Sequence, residues 1–600
     1  MFNRLKKGVL GEQGTKAVII LLLILGVVTS YYFWHEFDFL IYDRSGSPNA
    51  IDKTFGVIAL ILGLITLYSY AGPILLSVAV LLILYCIFGP YFPGFMKFPG
   101  FSLMRIVTFT VTEIQRGLFG NLLQMGATIV AVFVLLAGFV EGLGSFDVIF
   151  KFSLLLVKKS KYLITQTAIL ASAIMGMFSG SGAGNVAGTG SFTIPLMKKY
   201  NVPGYFAGAV EAVASAGGQI MPPIMGAAIF LMAEYLGVPY IKLAYMGIVP
   251  ALLYFIGVGF STHFITTGLD IKIPDDMQQT EEQMGEAQKI KNLFIDAIPL
   301  VVTLFVLIYL MAVVQFDALI AGYFSSLFFI ALVFVWNLIK SLSRKESITS
   351  YVCRFVKMLV NGMKSSAGTI MEIALMLGMI EVFVVILSTS GVALKMNMLI
   401  LSMAREQAVL ILLLSAVICI ILGCVVSTVA VYILAMVTVV PALLRIGIDP
   451  FVAHFYVFWY AIAGLITPPV AGNVIAACRI AKSDFWKTAV TAMKIGVPIF
   501  IVPVALITHP EILHYNAQTP VTFIVFLVAL YSIANGFFGN YSYPQGAGVV
   551  SLIKVITGLL AFATFFIPNN TIILIIGAVL VLTNIFFFRR SRSTSNNNAV

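Results

Sequence analysis

The chain has 600 residues, of which 60% are hydrophobic and only 10% are charged, and its mean hydropathy is +1.03. Soluble domains carry charge on about a quarter of their residues, so this composition excludes a soluble globular protein. The net charge of +11 is spread over short loops, as expected beside membrane spans, and forms no basic stripe of the kind that binds nucleic acid. The composition predicts an all-α polytopic membrane protein that is embedded in a lipid bilayer and binds no nucleic acid.

Apolar runs of about 20 residues recur along the chain, and each can cross the roughly 30 Å hydrocarbon core as a helix. They cover residues 17–34, 55–70, 73–90, 117–141, 243–266, 293–314, 317–338, 366–388, 489–509, 519–536, 550–567 and 571–588. The first run lacks a small-residue cleavage site, so we expect a retained span. Basic residues such as Arg4, Lys16 and Arg589 predict that both termini are cytoplasmic.

Composition shifts divide the chain into a short series of predicted segments. Residues 1–116 hold the N-terminal spans, and residues 117–510 hold a large membrane domain. Within it, residues 268–292 are rich in acidic side chains and predict a cytoplasmic linker between a first repeat (117–267) and a second (293–510). Residues 511–588 add further spans, and residues 589–600 predict a disordered cytoplasmic tail.

An internal repeat appears when the chain is shifted by 246 positions. Ser181 then falls on Ser427, Gly218 on Gly464, and Gly226 on Gly472. The pair Pro222–Pro223 falls on Pro468–Pro469. The coincidence of a Pro-Pro pair with a preceding glycine at one offset predicts two related halves.

The first unusual segment is MFSGSGAGNVAGTGSFTIP, residues 177–195. Its apolar arm, 163–176, and its following arm, 185–199, are each about 14 residues or roughly 21 Å of helix, too short to cross the bilayer. Both arms end in basic flanks, at 158–161 and 198–199. These features predict a re-entrant hairpin entered from the cytoplasm, with its tip, residues 179–185, near the middle of the bilayer.

The composition of this tip suits ligand binding. Glycines leave carbonyl groups uncovered, and Ser179, Ser181 and Asn185 add oxygen ligands for a dehydrated Na⁺. The alternative is a close helix-packing face, which would explain Gly184 and Gly188 but not the whole polar run.

Two further segments predict broken helices. A helix that begins near Pro203 meets Gly217 and Gly218 and then Pro222–Pro223, which remove helix hydrogen bonds. Its counterpart runs through Gly464 and Thr467 to Pro468–Pro469. Corresponding breaks in two halves indicate the central site of a transporter.

A second hairpin is predicted at residues 423–434, with Ser427 and Thr428 at its tip. Counting spans from the first hairpin predicts that this one opens externally, which makes the pair an inverted-topology repeat. Glu211 lies within the first broken helix, where an acid costs on the order of 2.5–3.5 kcal/mol and is therefore functional or paired. It is a candidate coupling acid or, alternatively, a structural one.

The segments MFSGSGAGNVAGTGSFTIPLMKK and AGAVEAVASAGGQIMPPIMGAAIFLMAEYLGVPY resemble the TRAP transporter permeases, and among them the TAXI-type branch with fused small and large membrane subunits. The resemblance is strongest over residues 117–270 and extends more loosely to 510. Residues 1–116 resemble the fused small subunit. The resemblance implies an elevator-type architecture in a bacterial inner membrane.

The resemblance also implies a function. Permeases of this kind import organic anions such as carboxylates, driven by Na⁺ or H⁺ without ATP or a covalent cofactor, and receive the solute from an extracytoplasmic TAXI-type binding protein. The implied ion-binding residues of the first repeat are Ser179, Ser181, Asn185, Gly217, Gly218 and Gln219, with Na⁺ at the first three. Those of the second repeat are Ser427, Thr428 and Thr467.

Other functions are weighed against this one. A stand-alone Na⁺-coupled dicarboxylate or anion symporter of the same inverted-repeat architecture stays open. An intramembrane enzyme is not indicated, because the sequence contains no HExxH, GxSxG or clustered His/Cys set. We therefore expect a transporter rather than an enzyme.

Overall fold

A computed structural model of the chain describes residues 11–145, 160–272, 286–343, 346–404, 407–542 and 549–597. Within these ranges, 11 helices are long and apolar enough to cross a membrane, and no strand is assigned. The predicted all-α polytopic membrane fold is therefore confirmed. Lys158, Lys159 and most of the predicted linker, residues 273–285, lie outside the described residues.

The helices are numbered here in chain order, with intervening 3-10 and π turns left unnumbered. They are α1 Gly11–His35, α2 Ala50–Phe88, α3 Leu103–Val107, α4 Asn121–Met125, α5 Ala131–Gly142, α6 Ile164–Ser179, α7 Gly182–Lys199, α8 Gly204–Gly217, α9 Ala227–Leu236, α10 Tyr240–Thr267, α11 Glu286–Ala312 and α12 Ala318–Ser343. The second half contains α13 Ile348–Thr389, α14 Val392–Met403, α15 Ala408–Val425, α16 Thr428–Thr438, α17 Val440–Arg445, α18 Pro450–Ala463, α19 Gly472–Ala481, α20 Phe485–Ile495, α21 Val497–Thr508, α22 Thr519–Ser542, α23 Val549–Ala563 and α24 Asn570–Asn597. The last helix extends past residue 589, where the sequence predicts a disordered tail to begin.

The chain divides into two compact units. The first unit comprises Met1–Ala131, Ala367–Ser415 and Val425–Gly447, and the second comprises Val132–Ser366, Ala416–Cys424 and Ile448–Val600. Each unit is described by itself below.

Charged side chains in the first unit organise the turn between α1 and α2. Asp52 is fully buried and accepts two 3.0 Å bonds from Arg44 and a 2.5 Å bond from the Tyr32 hydroxyl. Arg44 also bonds Glu36, and this contact lowers the pKa of the Glu36 carboxyl.

Glu381 accepts the backbone N–H groups of Asn121 and Leu122, where a carboxylate offsets the positive end of a helix.

The core of the second unit forms around α8. This helix packs against α6, α7, α10, α19 and α20, and every residue from Phe206 to Gly217 is buried. Small side chains along α8 allow this close approach from several directions. Next to α8, Tyr254 and Trp459 are fully buried and meet edge to face, with ring centroids 6.1 Å apart.

Candidate functional site

The first hairpin turns more tightly than the sequence predicts. Helix α6 continues to Ser179, Gly180 takes a left-handed conformation with φ of 57°, and α7 already begins at Gly182. The Ser181 hydroxyl caps α7 by accepting the N–H of Gly184 at 3.2 Å. The prediction of a seven-residue irregular tip, 179–185, was therefore wrong, because most of its glycines are helical.

The arms of this hairpin are also longer than predicted. Helix α6 has 16 residues and α7 has 18, and Lys161–Ser179 is one of the candidate membrane spans. The predicted end of the first arm at Gly176 was wrong because this glycine lies inside α6. Arms of this length do not by themselves require re-entry, so re-entry into the membrane stays a prediction.

Asn185 joins the two arms of the hairpin. It is fully buried, and its side-chain amide donates to the carbonyl oxygen of Ser172 at 2.8 Å. Its carboxamide oxygen receives a long, 3.5 Å contact from the Thr189 hydroxyl. In contrast, the Ser179 hydroxyl oxygen is buried without a hydrogen-bond partner among the described residues.

The first helix break lies directly against this hairpin. Helix α8 ends at Gly217, and an irregular stretch through the cis Pro222–Pro223 bond leads to α9. A Cβ atom on Gly218 would lie 2.6 Å from the Asn185 amide nitrogen and 2.9 Å from the Cα of Gly176. Only glycine therefore fits where the break and the hairpin meet.

A polar residue of the second repeat completes the site. Asn473 is fully buried at the start of α19, immediately after the second break. Its amide nitrogen donates to the carbonyl oxygen of Ala212 in α8 at 3.2 Å, whereas its carboxamide oxygen has no partner among the described residues. A Cβ on Gly182 would lie 2.8 Å from the Gln219 amide nitrogen and 2.9 Å from the Asn473 oxygen.

These contacts bring the hairpin tip, the first break and the start of α19 together in the second unit. The side chains of Gln219 and Asn473 meet at Gly182. A buried polar atom left unpaired costs about 1–3 kcal/mol, so such atoms in a folded protein require an explanation. A ligand that binds to oxygen would supply one.

The second break repeats the local structure of the first. Helix α18 ends at Ala463, and an irregular stretch with a cis Pro468–Pro469 bond leads to α19. The Thr467 hydroxyl donates to the carbonyl oxygen of Ala463 at 2.7 Å, and the Cys424 thiol donates to the Thr467 carbonyl at 3.3 Å. Both broken helices predicted from the sequence are therefore present.

Ser427 and Thr428 belong to the first unit. The Ser427 hydroxyl caps α16 by accepting the N–H of Ala430 at 3.4 Å, and Thr428 is buried. Ser427 therefore has the same local role as Ser181, 246 positions earlier. Ion binding by either residue stays a prediction.

Glu211 lies six residues before Gly217, the last residue of α8, and is fully buried. Its carboxyl group accepts hydrogen bonds from the hydroxyls of Ser172 at 2.8 Å and Ser215 at 3.0 Å. The Thr189 and Thr193 hydroxyls contact it as well. No cationic side chain among the described residues forms an ion pair with Glu211.

The model of one family, the Tripartite ATP-independent periplasmic transporter DctM component, matches residues 57–512, more than half of the chain. The chain belongs to this family. A curated relative of this TRAP permease is the sialic acid TRAP transporter large permease protein SiaM of Vibrio cholerae serotype O1. The two are 23% identical over 388 residues, which cover 64% of this chain and 84% of the relative.

Family membership makes this chain a permease and a multi-pass membrane protein. The matched region includes the hairpin tip, both breaks and the hydroxyls around Glu211. The match begins at residue 57, inside the segment 1–116 for which the sequence predicts a fused small subunit. It ends at residue 512, next to the predicted boundary at 510.

Sequence reasoning missed several residues of the site. Asn473 falls on Ala227 when the two halves are aligned, so the repeat gave no polar counterpart that would have marked it. Thr189 and Thr193 follow Asn185 at intervals of four, which places all three on one face of α7. That polar stripe is the signal that could have located the surroundings of Glu211.

Proposed function

We propose that this TRAP permease imports an organic anion, a carboxylate, in symport with Na⁺ or H⁺. The family match and a relative named for sialic acid, an organic acid, support the solute class. We further propose that an extracytoplasmic TAXI-type binding protein delivers the solute. The two hairpins and two broken helices would then form an inverted, elevator-type transport domain.

The proposed placement of the ion rests on one observation. The Asn473 carboxamide oxygen and the Ser179 hydroxyl oxygen are both buried and unpaired, one at the start of α19 and one at the end of α6. Between these helix ends, Gly182 leaves room that a Cβ would fill. Oxygen ligands beside irregular backbone are the arrangement that transporters use for a coupling ion.

The surrounding organisation is part of the same proposal. Residues 1–116 would correspond to a fused small subunit, and residues 1–56 are the part of that segment that precedes the family match. Basic residues at both ends of the chain support an inner-membrane permease with cytoplasmic termini. The same flanks support entry of the first hairpin from the cytoplasm.

The proposal is tested by uptake into liposomes that contain the purified permease, with the binding protein outside and a Na⁺ or pH gradient imposed. In the Asn473→Leu variant we expect the half-saturating concentration of the coupling ion to rise roughly tenfold, which corresponds to the loss of about 1.4 kcal/mol from one ligand. The physical reason is removal of the one unpaired oxygen that this side chain supplies.

The matched control is Asn397→Leu. Asn397 is also buried and also has an unpaired side-chain atom, its amide nitrogen, but it lies in α14 of the first unit. Its ion dependence should equal that of the wild type. Equal ion dependence in Asn473→Leu would overturn the ion placement, and uptake without added binding protein would favour the stand-alone symporter.

A further inference from the structure

A deep apolar groove lies in the second unit, behind the first helix break. Its volume is about 470 Å³, within the range of roughly 300–1,000 Å³ in which proteins bind small ligands. Helices α10 and α11 form its long walls, and Met177, Met221, Pro222 and Pro223 form its inner end. Among the described lining residues, Tyr245 alone has a polar group on its side chain.

The mouth of the groove opens at the exposed surface of α10 and α11. Phe305 and Tyr245 at the mouth are 67% and 57% exposed. The two helices that carry them are candidate spans with mean hydropathies of 2.4 and 1.9. Exposed apolar side chains on such helices face hydrocarbon rather than water, so the medium that enters this groove is lipid.

Two tyrosines indicate where the groove lies along the membrane normal. Tyr245 is near the start of α10, and its ring meets that of Tyr515 edge to face at 4.6 Å. The Tyr515 hydroxyl donates to the Tyr245 carbonyl oxygen at 2.6 Å. Tyrosines at the ends of spans lie at the level of lipid headgroups, so the groove descends from that level toward the break.

The length of the groove fits an extended hydrocarbon chain. Its lining on α10 runs from Ile241 to Leu252, which is about 16 Å of helix. An empty groove of this size would forfeit the dispersion contacts of its walls. A linear chain that enters parallel to the helices would restore them without burying any polar group.

We propose that this groove binds an acyl chain of a membrane phospholipid, with the chain end against Met177 and Met221. Met177 lies two residues before Ser179, and Met221 lies two residues after Gln219. The bound chain therefore touches the hairpin and the break beside two of the predicted ion-site residues. The proposal does not depend on which ion or solute is transported.

The test uses the full chain in phosphatidylcholine vesicles that contain phosphatidylcholine with a photoactivatable diazirine near the end of one acyl chain. After illumination, mass spectrometry of peptides should find adducts on Met177 and Met221. Ile248 lines the groove and is 40% exposed, so Ile248→Trp should narrow the groove and lower the Met221 adduct roughly tenfold.

Ile298→Trp is the matched control, because Ile298 is 37% exposed on α11 but does not line the groove. Its adducts should equal those of the wild type. Val301→Trp, on the opposite wall, gives a second way to fill the groove if Ile248→Trp does not fold. Absence of the Met221 adduct, equal adducts in the filled and control variants, or labelling by a free diazirine fatty acid alone would each overturn the proposal.

Discussion

Glu211 places a carboxyl group where it is shielded from water and from every cationic side chain that the structure describes. The four hydroxyls around it can each donate or accept a hydrogen bond. They can therefore satisfy a carboxylate or, after rotation, a neutral carboxylic acid, without movement of heavier atoms. This property would suit H⁺ coupling, one of the two couplings proposed above.

We expect Glu211→Gln to fold normally and to lose roughly tenfold in net gradient-driven uptake, because the amide mimics only the neutral state of the acid. Exchange of labelled for unlabelled solute, which needs no net proton movement, should persist. The measurement is uptake and exchange in the same vesicles. Glu234→Gln, an exposed acid on α9, is the control, and unchanged uptake in Glu211→Gln would make Glu211 a structural acid.

Asn473 shows the limit of sequence reasoning about single residues. The break at Gly217 and Gly218 was predicted because glycine and proline disrupt a helix locally, whereas Gln219 was named only through the family resemblance. Asn473 contacts Ala212 and the hairpin tip only through the tertiary fold. Its place just after the second Pro-Pro pair is visible in the sequence, but its contacts are not.

The helix breaks and hairpins share a close backbone contact in both repeats. A Cβ on Gly176 would lie 2.2 Å from the Cα of Gly218, and a Cβ on Gly464 would lie 2.5 Å from the Cα of Gly423. Glycine is needed at these crossings because any side chain would force the helices apart. The two halves of the chain therefore use the same device to hold the first arm of a hairpin against a break.

Gly176→Ala should lower the free energy of unfolding by about 1–3 kcal/mol, the usual effect of overpacking a well-packed core. Thermal unfolding in detergent micelles measures the change. The control is Gly368→Ala in α13, where an added Cβ meets nothing within 4 Å. This substitution should stabilise the helix by about 0.5–1 kcal/mol. A Gly176→Ala protein as stable as the wild type would show that this crossing is loose.

The glycine-rich run after Ser181 explains why the arm lengths were predicted wrongly. Glycine disfavours a helix by about 1 kcal/mol relative to alanine, so the sequence of this run predicts irregular backbone. In the folded protein, Gly188 accommodates Met175 and Gly190 lies against Glu211. Close packing thus compensates for the poor helix propensity, and no count of residues could reveal it.

The end of the family-matched region is joined to the C-terminal helices by a buried polar network. His509 lies 2.9 Å from the carbonyl oxygen of Ile567 and 3.1 Å from the Glu511 carboxyl. The Thr522 hydroxyl donates to the same carboxyl group at 3.0 Å. Specific hydrogen bonds therefore tie the segment after α21 to Thr522 of α22 and to the Ile567 carbonyl before α24.

His509→Leu should destabilise this junction by about 1–3 kcal/mol, because it leaves the buried Ile567 carbonyl without its partner and removes one of two contacts of the Glu511 carboxyl. Hydrogen exchange over residues 552–566 should speed up accordingly. His514→Leu is the control, since its 3.2 Å contact with Asp449 is exposed on both sides and such pairs contribute about 0–1 kcal/mol. Equal exchange in the two variants would contradict a specific junction.

The hydrogen bond from Asn473 to Ala212 also affects the order in which the protein folds. A chain leaves the ribosome from its N-terminus, and its early segments fold first. The hairpin tip and the first break are therefore in the membrane long before α19 exists, without the Asn473 side chain that later meets Gln219 at Gly182. A permease truncated before residue 473 would be inserted yet incomplete, and the two repeats, although alike in local structure, cannot mature independently.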